Sequence, residues 1–479
     1  MIATTPAISP ALGGALLAAF SLLWLALGWL WGRGVKSFED HALAGRSVGL
    51  ALGTATAMAT WVTSNTTMAA PQLAYQLGVW GMVGYSLGAV GLLLFAPMAE
   101  RIRHLMPSGY TSGDFVRARF GPAAWAVFLT ISLLYGLGWL VSMGMAGGIL
   151  LQALTGIPYH VGVVTIVLVC AGYTLLGGLR AVVGTDYIQS LLILVGLLVA
   201  GAAVYSRVGV GVVHEQLAAE RPGLLELLMP ASILFLFNNL LFGLGEVFHS
   251  NVWWSRALAM RPGVGYRAFL VAGLLWLPVP ITAGALALAA PALGVNVPAL
   301  DVVGPLVLAE LLGATGAVLV FVIVFASIAS SLDSLLTATS DLLLEDVYRR
   351  LLRPGASGRE LRAASRALVV LLSALAIALC WPRVTTLAEL IQFTGAFVAA
   401  TIWPIATGLY WRRTNRAGAT AGMALGSIAG LTAYFTLGFY TAALVGAVVS
   451  MLCVVTATLL RPQPFDWRAL QALRAPAET

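Results

Sequence analysis

The sequence predicts an all-α integral membrane protein, and three observations predict it. The chain has 479 residues, of which 60% are hydrophobic and only 9% charged. Its apolar residues fall into runs of about 20, the length that crosses a bilayer as a helix. The basic residues concentrate in alternate connections between those runs, as the positive-inside rule requires. Thirteen segments meet the first criterion: 9–32, 49–70, 78–99, 122–153, 160–176, 185–205, 228–252, 266–291, 314–338, 364–381, 386–410, 416–437 and 440–460. Little chain remains for a soluble domain, so a single membrane domain is expected over 1–479.

With the amino terminus outside, 23 of the 26 basic residues face inward, among them Arg256, Arg350 and Arg474, and only Arg207, Arg221 and Arg383 face outward. The carboxyl terminus is then inside. The net charge of +7 reports orientation in an anionic membrane rather than nucleic-acid binding. Cys170, Cys380 and Cys453 all fall in apolar segments and read as small buried hydrophobes, not disulfide or metal ligands. The first segment exceeds a signal-peptide core and lacks a small-residue cleavage pattern, so it reads as a retained helix. A bacterial inner membrane is the expected location. The tail 461–479, with Phe465 and Trp467 beside Arg468, resembles an interfacial anchor.

The most informative stretch is FASIASSLDS, Phe325–Ser334. Ser327, Ser330, Ser331 and Ser334 recur at spacings of three and four, which places them on one helical face. Hydroxyl oxygens in hydrocarbon need partners, and a small hard cation takes several oxygens at once. Close packing of small residues between helices explains the same pattern. Two other segments are unusually polar: 54–71, with six threonines, Ser64 and Asn65, and 238–256, with Asn238, Asn239, Glu246, His249 and Asn251. Their separation suits two five-helix repeats, 49–205 and 228–410, each opening with a broken helix, preceded by an extra helix 9–32 and followed by two helices in 416–460. Packing of Thr and Ser at helix interfaces is the alternative.

Four motifs carry a family resemblance. LAGRSVG (Leu43–Gly49), GGLRAVVGTDYIQ (Gly177–Gln189), WWSRALA (Trp253–Ala259) and FASIASSLDS occur in the order found in the sodium:solute symporter family, which the chain resembles over most of its length. Trp61, its spacing to Gly78, IRHLMPSGYTSGDFVRARFG (Ile102–Gly121) and EVFHSNVWWSR from Glu246 are most similar to the urea-transporter branch. Glu246 departs from that branch, which has a neutral residue there.

The resemblance implies the inverted-repeat fold of the leucine transporter and sodium-coupled symport of a small polar, urea-like solute. It implies sodium held by the carbonyls of Ala59, Val62 and Ser327 and the hydroxyls of Ser330 and Ser331, with Ser334 left to packing. Asp186 would attract or release the ion on the cytoplasmic side, or else cap a helix after Thr185. Solute would meet Trp61, with Asn65, Tyr85 and Gln392 adding hydrogen bonds; packing as core aromatics is the alternative for Trp61 and Tyr85. Glu246 would bind a cationic (polyamine-like) or amide-bearing solute, take a coupling proton, or pair with His249 one turn on. Proton coupling is thus the alternative to sodium. Sodium, the solute and the lipid bilayer are the implied partners. An enzyme is disfavoured because no nucleophile elbow or His-Glu zinc motif occurs. A kinase-linked sensor has no room after Arg461, and a passive channel does not call for broken helices in both halves.

Overall fold

The structure is a computed structural model that describes residues 6–383 and 385–473. Residues 1–5, Val384 and 474–479, including Arg474, lie outside the described residues. The described chain is helical, and its one isolated backbone bridge joins Val48 to Met260. Ten helices or helix pairs are long and apolar enough to cross a membrane. One of them, Tyr159–Val208, holds two of the thirteen predicted segments. Segments 49–70 and 416–437 are the two not among the ten. The first is interrupted mid-way, and the second forms the helix Arg416–Thr436. This is a multi-pass membrane protein.

Local chemistry sets the helix ends. Thr111 and Asp114 form a capping box at Ser112–Phe120, and Thr386 and Glu389 form another at Leu387–Val398. The 50-residue run Tyr159–Val208 turns at Gly178, where φ is +54° and a Cβ would stand 2.4 Å from the His41 carbonyl oxygen. Only glycine satisfies both the backbone and the space. Gly418, Gly422, Gly426 and Gly430, spaced by four, let Arg416–Thr436 lie directly against Ala442–Leu460: a Cβ on Gly426 would meet the Gly446 carbonyl at 2.7 Å.

Two helices are broken where the sequence is polar. Leu50–Trp61 ends at Val62 (φ −84°, ψ 84°), and the chain resumes in a π-helical turn, Asn65–Ala69, then Ala70–Leu77. Pro230–His249 ends at Ser250 (φ −70°, ψ 129°) before Asn251–Ala259. Backbone groups released at such breaks need partners in a membrane interior. Thr63 Oγ1 accepts from the Asn65 and Thr66 amides at 3.0 and 3.3 Å, and Trp276 donates its indole N–H to the Trp61 carbonyl at 2.7 Å. At the second break Trp254 donates to the Phe248 carbonyl at 2.7 Å, while Asn251 links the Ser112 amide to the Ala338 carbonyl at 3.0 Å each.

The entrance of the first broken helix is lashed to the exit of the second. The Val48 amide donates to the Ala259 carbonyl (3.1 Å), and the Arg261 amide to the Val48 carbonyl (3.0 Å). The LAGRSVG and WWSRALA motifs therefore meet. Around them Arg46 donates to the Gly109 carbonyl, Arg119 to Trp411, Arg350 to Asp114 and Arg412 to Phe465, which gathers these arginines at one end. At the opposite end Arg383 pairs with Asp301 at 3.1 Å.

Candidate functional site

The serine face of the helix Val303–Leu342 packs against the first break. Ser330 donates to the Ala59 carbonyl at 3.0 Å and the Ser327 carbonyl at 3.1 Å, and Ser331 to the Thr60 and Ser327 carbonyls at 3.1 and 3.0 Å. Ala59, Ser327, Ser330 and Ser331 are thus brought together. Val62 stands at the break with its own N–H on the Met58 and Ala59 carbonyls. Among the described residues no hydrogen bond joins its carbonyl to either serine, and Thr60 supplies the second carbonyl of the seam instead. The reason is local: the chain is still helical at Thr60, which points that carbonyl across the seam before the helix ends.

One turn along, a charged cluster lies wholly inside the protein. Arg256 Nη2 stands 3.3 Å from Asp186 Oδ2, with both side chains 1% exposed or less. Arg256 also donates to Thr60 and Ser334 at 2.7 Å each and to Thr56 at 3.0 Å, and Thr56 donates to Asp186. A second acid, Asp333, accepts from Tyr173 at 2.8 Å and Ser334 at 3.1 Å. Asp186 sits deep within its helix, so the capping alternative fails. Ser334 is no packing residue: it accepts from Arg256 and donates to the Ser330 carbonyl at 2.7 Å. Arg256, counted as an inward-facing surface charge, is buried because two carboxylates and three hydroxyls surround its guanidinium.

Two small cavities flank Trp61. Tyr85, Asn239 and Trp276 line the first; Tyr135, Glu246, Trp253 and Ser331 line the second; Trp61, Thr63 and Trp139 line both. Glu246 and Ser331 thus share a wall. Glu246 Oε1 accepts from the Tyr135 hydroxyl and from Trp253 Nε1 at 3.2 Å, and Oε2 has no partner among the described residues.

Other expected partners are engaged elsewhere. His249 does not pair with Glu246. Its ring rests on Phe128 and Tyr135 (centroids 4.7 and 5.6 Å), and neither nitrogen has a hydrogen-bond partner among the described residues. Gln392 is bound to Asn238 (2.9 Å) and Asn239 (3.3 Å), and Asn65 accepts from Ser142 (2.9 Å). These amides hold helices together, and Asn239 rather than Gln392 reaches the cavity wall. Tyr135, Trp139, Trp253 and Trp276 were not singled out in the sequence, because an aromatic in an apolar segment reads as core.

The arrangement meets its relatives here. The model of the sodium:solute symporter family matches residues 41–426. The chain belongs to the sodium:solute symporter family. It is 31% identical over 529 residues to the urea-proton symporter of Oryza sativa subsp. japonica, covering 96% of this chain and 73% of that one. It is 26% identical to the high-affinity proline transporter of Bacillus subtilis strain 168, covering 84% and 88%. Its fold resembles that of a Na⁺-coupled sialic acid symporter solved with substrate in an outward-open state, with a TM-score of 0.80 at 18% identity over 95% of this chain and 99% of that one. The protein is thus a secondary symporter, not an enzyme.

Proposed function

We propose that this symporter couples inward movement of sodium to uptake of a small polar, urea-like solute by alternating access. The repeats 49–205 and 228–410 would rock about the two breaks, with the arginine-rich end in the cytoplasm. One observation carries the sodium reading. Ser330 and Ser331 offer two protons to the carbonyls of Ala59, Thr60 and Ser327, and those carbonyls together with the two hydroxyl oxygens form a nest with more acceptors than donors. A hard monovalent cation supplies what such a nest lacks, and neutral ligands hold it weakly enough to let it go. The Val62 carbonyl, at the break, would complete the set.

Uptake of radiolabelled urea into proteoliposomes tests this. An inward sodium gradient should drive accumulation, and indifference to sodium would refute the coupling. A second reading, proton coupling through Glu246, is favoured by the unpartnered Oε2 of that buried carboxylate and by the proton-coupled relative. It predicts accumulation driven by an inward pH gradient in sodium-free buffer and lost in Glu246→Gln.

A further inference from the structure

We infer that the solute held at Glu246 is a small planar cation of the guanidinium class, an inference that rests on assigning this cavity to the solute. Glu246 is 3% exposed in the middle of a membrane-crossing helix pair. Its Oε1 is bound by Tyr135 and Trp253, while Oε2 has no partner among the described residues. No arginine or lysine hydrogen-bonds it among the described residues; Arg256 is committed to Asp186, Thr60 and Ser334. His249 makes no hydrogen bond to it. A carboxyl so placed either holds a proton or meets a positive charge delivered from outside the protein, and the solute delivers that charge.

The rest of the wall narrows which charge. Trp61 meets Trp253 edge-on at 5.3 Å and 87°, and Tyr135 lies 5.8 Å from Trp139. Rings around one carboxylate suit a cation attracted by ring faces. An ammonium is compact and strongly hydrated, so leaving water costs it more. A guanidinium is planar and weakly hydrated; it stacks on rings and presents parallel N–H groups to a carboxylate. Urea shares the planar N–H edge, and its carbonyl would suit the unpartnered indole N–H of Trp61. One neutral hydrogen bond is nevertheless a smaller gain than neutralising a buried charge. The small cavities restrict the occupant to a few heavy atoms.

The test is thermal unfolding of the purified full-length protein at constant ionic strength. Guanidinium chloride, urea and methylammonium chloride are each added at low millimolar levels, far below denaturing concentrations, with sodium titrated separately. Ligands that bind the folded state raise the midpoint. Guanidinium should bind about tenfold more tightly than urea or methylammonium, and Glu246→Gln should abolish that preference while keeping its sodium shift, which also shows that the variant is folded. If Glu246→Gln does not fold, the ranking in the unaltered protein decides. Urea or methylammonium equal to guanidinium, or no shift with any of the three, overturns the inference. A guanidinium shift without a sodium shift upholds it while refuting sodium coupling.

Discussion

Arg256 and Asp186, 70 residues apart in sequence, stand 3.3 Å apart with neither side chain more than 1% exposed. Asp333 lies within electrostatic reach of the same guanidinium, so one cation serves two buried acids. The partners are therefore unequal. Arg256→Gln strands both carboxylates and should cost about 3–5 kcal/mol, the range for breaking a buried pair. Asp186→Asn leaves the guanidinium with Asp333, Ser334 and two threonines and should cost clearly less. Thermal unfolding of the two variants in detergent checks the order, and equal losses would contradict it.

The serine seam makes a separate prediction. Ser330→Ala and Ser331→Ala each remove one hydroxyl from the nest at Ala59 and Thr60. Each should lower apparent sodium affinity about tenfold, equivalent to about 1.4 kcal/mol. Sodium titrations of uptake or of the thermal midpoint measure this directly. An unchanged sodium response in the double variant would remove the site.

Outside the membrane, His41 offers a pH test. Burial, with Arg366 and Arg362 nearby, pushes its pKa down to about 4 from an ordinary 6.5, and its ring nitrogen lies 3.4 Å from the Ser365 hydroxyl. The folded protein keeps the imidazole neutral where the unfolded chain would protonate it. Stability is therefore full above about pH 6.5 and falls as pH drops from there toward 4, by about 3 kcal/mol at most for this group. His41→Gln should flatten that part of the stability curve. A slope identical to that of the unaltered protein would exclude the mechanism.

Gly178 links this histidine to the bend. Gly178→Ala forces a side chain into a left-handed backbone position, costing about 1–2 kcal/mol, and drives its Cβ to 2.4 Å from the His41 carbonyl oxygen. The expected result is a lower thermal midpoint and reduced yield of folded protein. Gly211→Ala, with open space around its Cβ position and no left-handed backbone, is the control that should not lower the midpoint.

Much of the architecture was legible because bilayer length and apolar runs are local properties. The breaks were legible too: the polar residues of 63–66 and 246–251 have no reason to sit in lipid unless they line something. Long-range pairing was not. Arg256 follows two tryptophans near a helix end, and nothing local distinguishes it from Arg261, which is at the surface. Its burial depends on Asp186 and Ser334, brought to it from two other helices. Gln392 shows the converse: an amide in hydrocarbon is expected to have partners, and in the structure Asn238 and Asn239 are among them.

The hydroxyl protons of Ser330 and Ser331 bridge the helix Leu50–Trp61 to Val303–Leu342. A cation seated among the same oxygens would replace those protons as the bridge, and would pull on three or more oxygens at once. The ion would then act as a reversible cross-link between the two helices, its arrival stiffening the seam and its departure loosening it. If sodium is the coupling ion as proposed, its concentration on either side would set how firmly these two helices are held together while solute is aboard.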